Sequence, residues 1–206
     1  MKFKKSLIFC ALILSFLISL VSAQVSVGFN EGDWVEYTST YTGNPPESYS
    51  VSGRMEIKTI QGTQITVEIN RILLNGTQTS RTETFELETG APDLIIIPAN
   101  LGPGDEIYHE DLGTHTIERI ENYNFKGTTR ELVYADVLNS DFKWDRKTGI
   151  VIEVFQTTET FTQTLRGVDT NIVQAQGLDP MLLYGIIIAL IAVIIIVIVL
   201  LLRKKK

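Results

Sequence analysis

The sequence predicts an all-β domain, an antiparallel curved sheet in the form of a half-barrel, barrel or sandwich, with an apolar segment at each end of the chain. The first observation is a period of two among apolar residues, as in Ile65, Val67 and Ile69. The second is the abundance of Thr, Val, Ile, Tyr and Phe in these segments, because such residues suit a pleated, half-buried surface. The third is that no segment between the two ends shows the 3.6-residue period of a helix.

The N-terminal segment, residues 1–23, has the order of a secretory signal peptide. Three lysines within the first five residues precede an apolar stretch from Leu7 to Val21, and small residues then precede Gln24. This order predicts cleavage after Ala23, with an uncleaved signal-anchor helix as the alternative.

The middle of the chain predicts an extracytoplasmic β domain over residues 24–170, with about eight to ten strands joined by short turns. The alternating segments are DWVEYTSTY (33–41), SVSGRMEIKTI (50–60), TQITVEINRILL (63–74), TQTSRTETFELE (77–88), RELVYADVL (130–138) and GIVIEVFQTTETFTQTL (149–165). Short turns between such segments favour a meander-like antiparallel sheet. We expect the proline-bounded stretch 91–108 to hold at most a short strand or a single turn, with loop around it.

Two of the connections carry specific turn chemistry. Asn75-Gly76 lies between two strand-like segments, which is a strong hairpin signal, and Asn75-Gly76-Thr77 is also an acceptor motif for N-glycosylation. The stretch 141–154 predicts a second hairpin, because Asp145 can cap a turn with its carboxylate and Gly149 can take a positive φ. We expect the charged residues of this turn to reach solvent. Strict alternation after the turn leaves both strand faces partly apolar, so a barrel or a second layer is expected to cover the second face.

The turn Trp144–Gly149, between an aromatic strand and an apolar strand, resembles a hairpin of lipoprotein-carrier-like (LolA-like) proteins. With the start EGDWVEYTSTY (31–41), it is also similar to membrane-anchored surface proteins of archaeal type. The first resemblance implies a β half-barrel that holds acyl chains in a concave sheet. If such a cavity exists, Trp34, Trp144 and Phe155 are candidates to line it.

The C-terminal segment predicts a single transmembrane helix over residues 182–202, because this apolar run carries no charge. At ~1.5 Å per residue, a helix of this length matches a hydrocarbon layer of ~30 Å. The basic tail 203–206 is expected on the cytoplasmic side, which places the preceding domain outside the cell membrane. A basic tail argues against a cleavable lipid-anchor signal. Residues 171–181 are expected to form a short stalk that holds the domain near the bilayer.

The charge balance of the middle region excludes some partners. Between the two terminal segments the chain carries all 24 acidic residues but only 11 of the 18 Lys and Arg, a net charge of about −13. Such a surface repels nucleic acid and anionic headgroups, so no nucleic-acid partner is expected. The single cysteine, Cys10, lies in the signal segment, so neither disulfides nor thiol chemistry are expected in the mature domain.

Catalytic and metal-binding patterns are weak in this sequence. His109 and His115 lie near acidic residues, and Glu110 and Asp111 complete a weak cation candidate whose spacing matches no ligand pattern. A solvated acidic hairpin is the favoured interpretation, with calcium preferred over zinc if a metal binds. No hydrolase or phosphate-binding motif is present, so neither an enzyme nor a cofactor is expected.

These observations leave three functions in order of preference. The first is a non-catalytic binding or structural module, anchored by one helix and displayed at the cell surface. The alternative is a carrier or sensor that holds lipid or another apolar ligand on the concave face of the sheet. A hydrolase is the least favoured. In each case the expected partner is a protein or lipid near the bilayer.

Overall fold

The computed structural model describes residues 25–90 and 92–172 of the chain. The predicted signal peptide, the transmembrane segment and the basic tail lie outside the described residues, as does most of the predicted stalk. Within the described ranges no helix is long and apolar enough to cross a bilayer.

The described residues form strands and connecting turns, which confirms the prediction of an all-β fold. The strands are β1 (Trp34–Gly43), β2 (Ser50–Gln61), β3 (Gln64–Leu73), β4 (Gln78–Glu86), β5 (Glu106–His109), β6 (Gly113–Thr116), β7 (Arg119–Phe125), β8 (Thr128–Val137), β9 (Ser140–Asp145), β10 (Val151–Thr157) and β11 (Phe161–Thr170).

Nine of these strands form one large curved antiparallel sheet in the order β4-β3-β2-β1-β11-β10-β9-β8-β7. The order contains two meanders, β1 to β4 and β7 to β11, which are joined where β1 pairs with β11. Because β4 and β7 are the two ends of this order, the sheet is open rather than a closed barrel. Strands β5 and β6 form a separate hairpin.

The inner face of the sheet, which carries Val35, Met55, Ile57 and Val67, holds the main hydrophobic core. Alternating residues of β1, β2 and β3 are buried on this face and polar on the other, as the period of two predicted. Burial of these side chains supplies the main driving force for folding.

The inner face is covered by the connection between β4 and β5, here called the covering segment (92–105). Its residues Leu94, Ile96 and Ile97 are almost fully buried against the sheet. One isolated bridge joins Ile96 to Ile150, and the rest of the segment forms turns and loop. The predicted loop with at most a short strand or a single turn is confirmed, whereas the position of this segment over the sheet was not predicted.

A register shift in β10 changes which residues share a face. Between Val151 and Glu153 the pairing with β9 is irregular, so Ile152 packs on the outer face of the sheet in a small cluster with Phe125 and Leu132. Val151 and Val154 then both lie on the inner face. Strict alternation had placed them on opposite faces, and the bulge is the physical reason that this expectation was wrong.

The turn between β9 and β10 has the predicted chemistry. The Asp145 carboxylate accepts hydrogen bonds from the amides of Lys147 and Thr148 at 3.0 and 3.1 Å, and Gly149 has a φ of 75°. The expectation that all charged turn residues reach solvent was wrong for Asp145, which has no exposed surface. Its second oxygen accepts a hydrogen bond of 2.8 Å from the buried Arg130 guanidinium, because an unpaired buried charge would be very costly.

Candidate functional site

A cavity of about 390 Å³ lies against the inner face of the sheet, with Asp93 and Ile95 of the covering segment among its lining residues. Its volume is within the range of ligand pockets, roughly 300–1,000 Å³. Its apolar lining comes from six strands and consists of Tyr37, Met55, Ile69, Phe142, Val151, Val154 and Leu165. Its polar lining consists of four serines, Gln163, Asp93 and the arginines Arg54, Arg71 and Arg81. Small-molecule sites combine apolar walls with polar groups that fix the orientation of the ligand.

The most apolar part of the cavity is built by β9, β10 and β11. Val154 of β10 lies directly opposite Phe142 of β9 on one side and Leu165 of β11 on the other. Directly opposed side chains in an antiparallel sheet have Cβ atoms only ~5 Å apart, so these three form one continuous surface. All three are only half-buried, so part of this surface remains open to an occupant.

The Tyr37 hydroxyl is a hydrogen-bonded polar group in the wall of the cavity. The Tyr37 hydroxyl donates a hydrogen bond of 2.9 Å to the Val151 carbonyl. Burial raises the pKa of Tyr37 far above the ordinary range, so the phenol stays neutral. A ligand in the cavity would therefore contact a neutral phenol at Tyr37.

The opposite end of the cavity, on β3 and β4, is charged. Arg71 pairs with Thr79 across the two strands, and Arg81 lies two residues further along β4. The two arginines are therefore diagonal neighbours on one face, with backbones ~7–8 Å apart. The Arg71 Nε is buried and has no hydrogen-bond partner within the described ranges. Arg81 is exposed, and its guanidinium lies 2.7 Å from Glu83.

The covering segment is held over the sheet beside the β9–β10 turn. The Trp144 indole donates a hydrogen bond of 2.6 Å to the Leu94 carbonyl, and the Val151 amide donates one of 2.9 Å to the Ile95 carbonyl. The Asp93 carboxylate accepts a hydrogen bond of 2.7 Å from the Leu94 amide. These bonds fix the position of the segment along one wall of the cavity.

The three aromatic residues that the sequence analysis proposed as a cavity lining lie elsewhere. Trp144 is fully buried beneath the covering segment and stacks on Phe142 with a centroid distance of 5.2 Å. Trp34 lies under the Arg54 guanidinium, 4.1 Å from the ring centroid. Phe155 is 41% exposed on the outer face, beside Asp141. Trp34 and Phe155 alternate with the inner-face residues Val35 and Val154, and only the position of Trp144 depends on the covering segment.

The weak cation candidate has a structural explanation. His109 is buried, and its Nδ1 accepts hydrogen bonds from the Asp111 and Leu112 amides at 3.1 and 3.2 Å, which closes the β5–β6 turn. His115 lies opposite Ile107 in the same hairpin, and Glu110 is exposed at the turn. In the parts of the chain that are described, no group of three His, Cys, Asp or Glu side chains is placed to hold a metal ion.

The hairpin at Asn75 has the predicted position between β3 and β4. Asn75 is exposed at its tip, and its side-chain oxygen accepts a hydrogen bond of 2.9 Å from the Thr77 amide. Gly76 has a φ of 81°, which explains the glycine at this position. Glycosylation of Asn75 stays a prediction that this exposed geometry permits.

The outer face of the sheet carries networks of ion pairs within and between strands. Lys58 lies 2.9 Å from both Glu56 and Glu68, and the Lys58 ammonium lowers the pKa of the Glu68 carboxyl. Lys143 lies 3.2 Å from both Glu121 and Glu153. Because these charges already satisfy one another and are partly hydrated, the networks are explained as a solvated face of the sheet.

Sequence reasoning missed the residues that define the cavity, above all Arg71, Arg81, Phe142 and Leu165. Their positions in alternating segments were visible, but the β1–β11 pairing that brings the two meanders together has no local signal. Comparison with known protein families finds no family model that matches the chain, and comparison with curated proteins finds no match.

Proposed function

We propose that this protein is a non-catalytic binding module whose curved sheet holds an apolar ligand. The observation that carries the proposal is the cavity between the inner face and the covering segment, with its open apolar surface at Phe142, Val154 and Leu165. Exposing such a surface to water is unfavourable, by roughly 25 cal/mol per Å² of apolar area, so an apolar occupant stabilises it.

The proposal includes the cellular placement that the sequence patterns favour. The chain is exported by the segment 1–23, anchored by one helix over 182–202, and its β domain lies outside the membrane with the tail 203–206 in the cytoplasm. The composition of these segments supports this placement. A domain held near the bilayer has direct access to lipids, which suits a carrier or sensor of apolar ligands.

A structural surface module is the less favoured function, because the outer face offers little for docking. Its charged side chains pair with one another, as Arg54 does with Glu36 on β1 and with Glu56 on its own strand at 3.6 Å each. Catalysis has no support from a motif in the sequence, and we propose a binding function in preference to a hydrolase.

The proposed binding of an apolar ligand is tested with a variant in which a larger side chain fills part of the cavity. The full-length chain in phosphatidylcholine nanodiscs is exposed to a photoactivatable dodecanol analogue, and labelled peptides are identified by mass spectrometry. We expect labelling at Phe142 to Leu165, and we expect Leu165→Trp to reduce it at least tenfold, because the larger ring fills the half-buried surface.

The matched control is Phe155→Trp, which enlarges an aromatic residue on the outer face of β10. It should leave labelling unchanged. The proposal is contradicted if the wild-type chain is not labelled at the cavity, or if both tryptophan variants are labelled as well as the wild type.

A further inference from the structure

The cavity changes from charged to apolar along the order of the strands. Arg71 and Arg81 lie on β3 and β4 at one end, and Phe142, Val154 and Leu165 lie on β9 to β11 at the other. Strands β2 and β1 lie between these two ends. A ligand that satisfies the whole cavity must therefore be charged at one end and apolar along its length.

The charged end of the cavity is positive, although the domain as a whole carries a large negative charge. The charged residues that line the cavity are three arginines and one aspartate, whereas the middle of the chain has a net charge of about −13. Arg54 precedes the inner-face residue Met55 in β2 and pairs with Glu36 and Glu56. Arg81 lies directly opposite the inner-face residue Ile69, and Arg71 is on the same face. Arg71 and Arg81 are therefore the two arginines on the cavity side of the sheet, and a pair of neighbouring guanidinium groups favours an anion.

Arg71 has an unsatisfied donor at this end of the cavity. Its Nε is buried without a hydrogen-bond acceptor in the described part of the chain, and buried donors in native proteins are almost always satisfied. Arg81 has an exposed ion pair with Glu83, and such exposed pairs contribute little to stability. The five N–H donors of the Arg81 guanidinium can therefore bind a ligand with little loss of stability.

We propose that the occupant is a fatty acid, with its carboxylate at Arg71 and Arg81 and the end of its chain beside Phe142. The proposal rests on the proposed apolar-ligand function and adds the class and the orientation of the ligand. A planar carboxylate matches the fork of a guanidinium. The Glu83 carboxylate, 2.7 Å from the Arg81 guanidinium, favours a monoanion over a doubly charged phosphate, because each added negative charge is repelled.

The orientation is tested with laurate that carries a diazirine at its chain end, on the full-length protein in phosphatidylcholine nanodiscs. The expected crosslinks fall on the peptide from Phe142 to Val154, at the apolar end. Unlabelled laurate should compete about tenfold better than dodecanol, because it adds a charged hydrogen bond. Dodecyl phosphate should compete less well than laurate.

Two substitutions test the role of the arginines. Arg71→Gln and Arg81→Gln should each weaken competition by laurate about tenfold and leave competition by dodecanol unchanged. Arg166→Gln, on the outer face and paired with Glu153, is the matched control and should change neither. If Arg71→Gln also abolishes dodecanol binding, its fold is lost, and the exposed Arg81 alone decides the outcome.

The possible results separate the two proposals. If neither laurate nor dodecanol labels the cavity, the apolar-ligand function and the fatty-acid proposal both fail. If dodecanol binds as well as laurate and Arg81→Gln has no effect, the apolar function stands and the carboxylate assignment is overturned. Stronger competition by dodecyl phosphate, or crosslinks from the chain end on β3 and β4, would also overturn it.

Discussion

At the scale of single residues, the buried pair Arg130 and Asp145 joins three parts of the domain. The Arg130 guanidinium binds the Asp145 carboxylate of β9 and also donates a hydrogen bond of 3.0 Å to the Ile172 carbonyl, just after β11. The other Asp145 oxygen holds the turn that follows β9. One ion pair thus connects β8, the β9–β10 turn and the end of the described domain, which makes both of its members hard to replace singly.

Replacing Arg130 by Met should lower the free energy of unfolding by about 3–5 kcal/mol, because the Asp145 carboxylate would remain buried without its cation. Arg166→Met removes an exposed pair with Glu153 and should cost ~0–1 kcal/mol. Denaturant unfolding followed by tryptophan fluorescence measures both variants. Equal costs for the two would show that burial of the pair is not what matters.

At the scale of elements, Gly149 lets the covering segment and the β9–β10 turn approach each other. A Cβ added to Gly149 would lie 1.9 Å from the Ile97 carbonyl oxygen, and the φ of 75° is also unfavourable for other residues. The approach allows the Ile97 amide to donate a hydrogen bond of 2.9 Å to the Gly149 carbonyl. The cover of the inner face therefore depends on a turn that is remote from it in sequence.

We therefore expect Gly149→Ala to destabilise the domain more than the same substitution at a turn glycine that has free space around it. Gly127 has a φ of 82° and no neighbouring atom within 4 Å of an added Cβ, so Gly127→Ala should cost ~1–2 kcal/mol from its backbone alone. Gly149→Ala should cost a further ~1–3 kcal/mol, because a backbone carbonyl must move. Thermal or denaturant unfolding of the two variants measures these differences. Similar losses in the free energy of unfolding would mean that the covering segment can move away from an added Cβ with little loss of stability.

At the scale of the whole molecule, the proposed anchor and the proposed ligand belong together. A cavity for fatty acids is useful beside a membrane, which is the main reservoir of acyl chains, and the predicted stalk of about ten residues reaches at most ~35 Å. We expect the acidic surface to be repelled by anionic headgroups. The cationic end of the cavity then offers the favourable place for a lipid carboxylate.

The membrane topology can be tested because the mature chain is predicted to contain no cysteine. Asn75→Cys places a thiol at the exposed β3–β4 tip, and Lys205→Cys places one in the predicted cytoplasmic tail. A membrane-impermeant maleimide on intact cells should label the first and reach the second only after permeabilisation, with the wild-type chain as the control for Cys10. The reverse labelling pattern would refute the proposed orientation.

Local patterns predicted much of the fold because their signals are local. The alternation of Ile65, Val67 and Ile69 marked β3, and the turn chemistry of Asp145 and Gly149 marked the β9–β10 hairpin. The bulge that puts Ile152 on the outer face and Val151 on the inner face carries no comparable signal, since it depends on pairing with a neighbouring strand. Trp34, Trp144 and Phe155 are not among the residues that line the cavity on the inner face.

The sequence by itself determined that the middle of the chain forms antiparallel strands with one apolar face, since side-chain period and turn chemistry act over a few residues. Only the tertiary structure decided that β1 pairs with β11, that the segment 92–105 covers the inner face, and that Arg71 and Arg81 lie at one end of a cavity. These arrangements join residues that are far apart along the chain. Their energies come from packing and long-range pairing, which no short stretch of sequence contains.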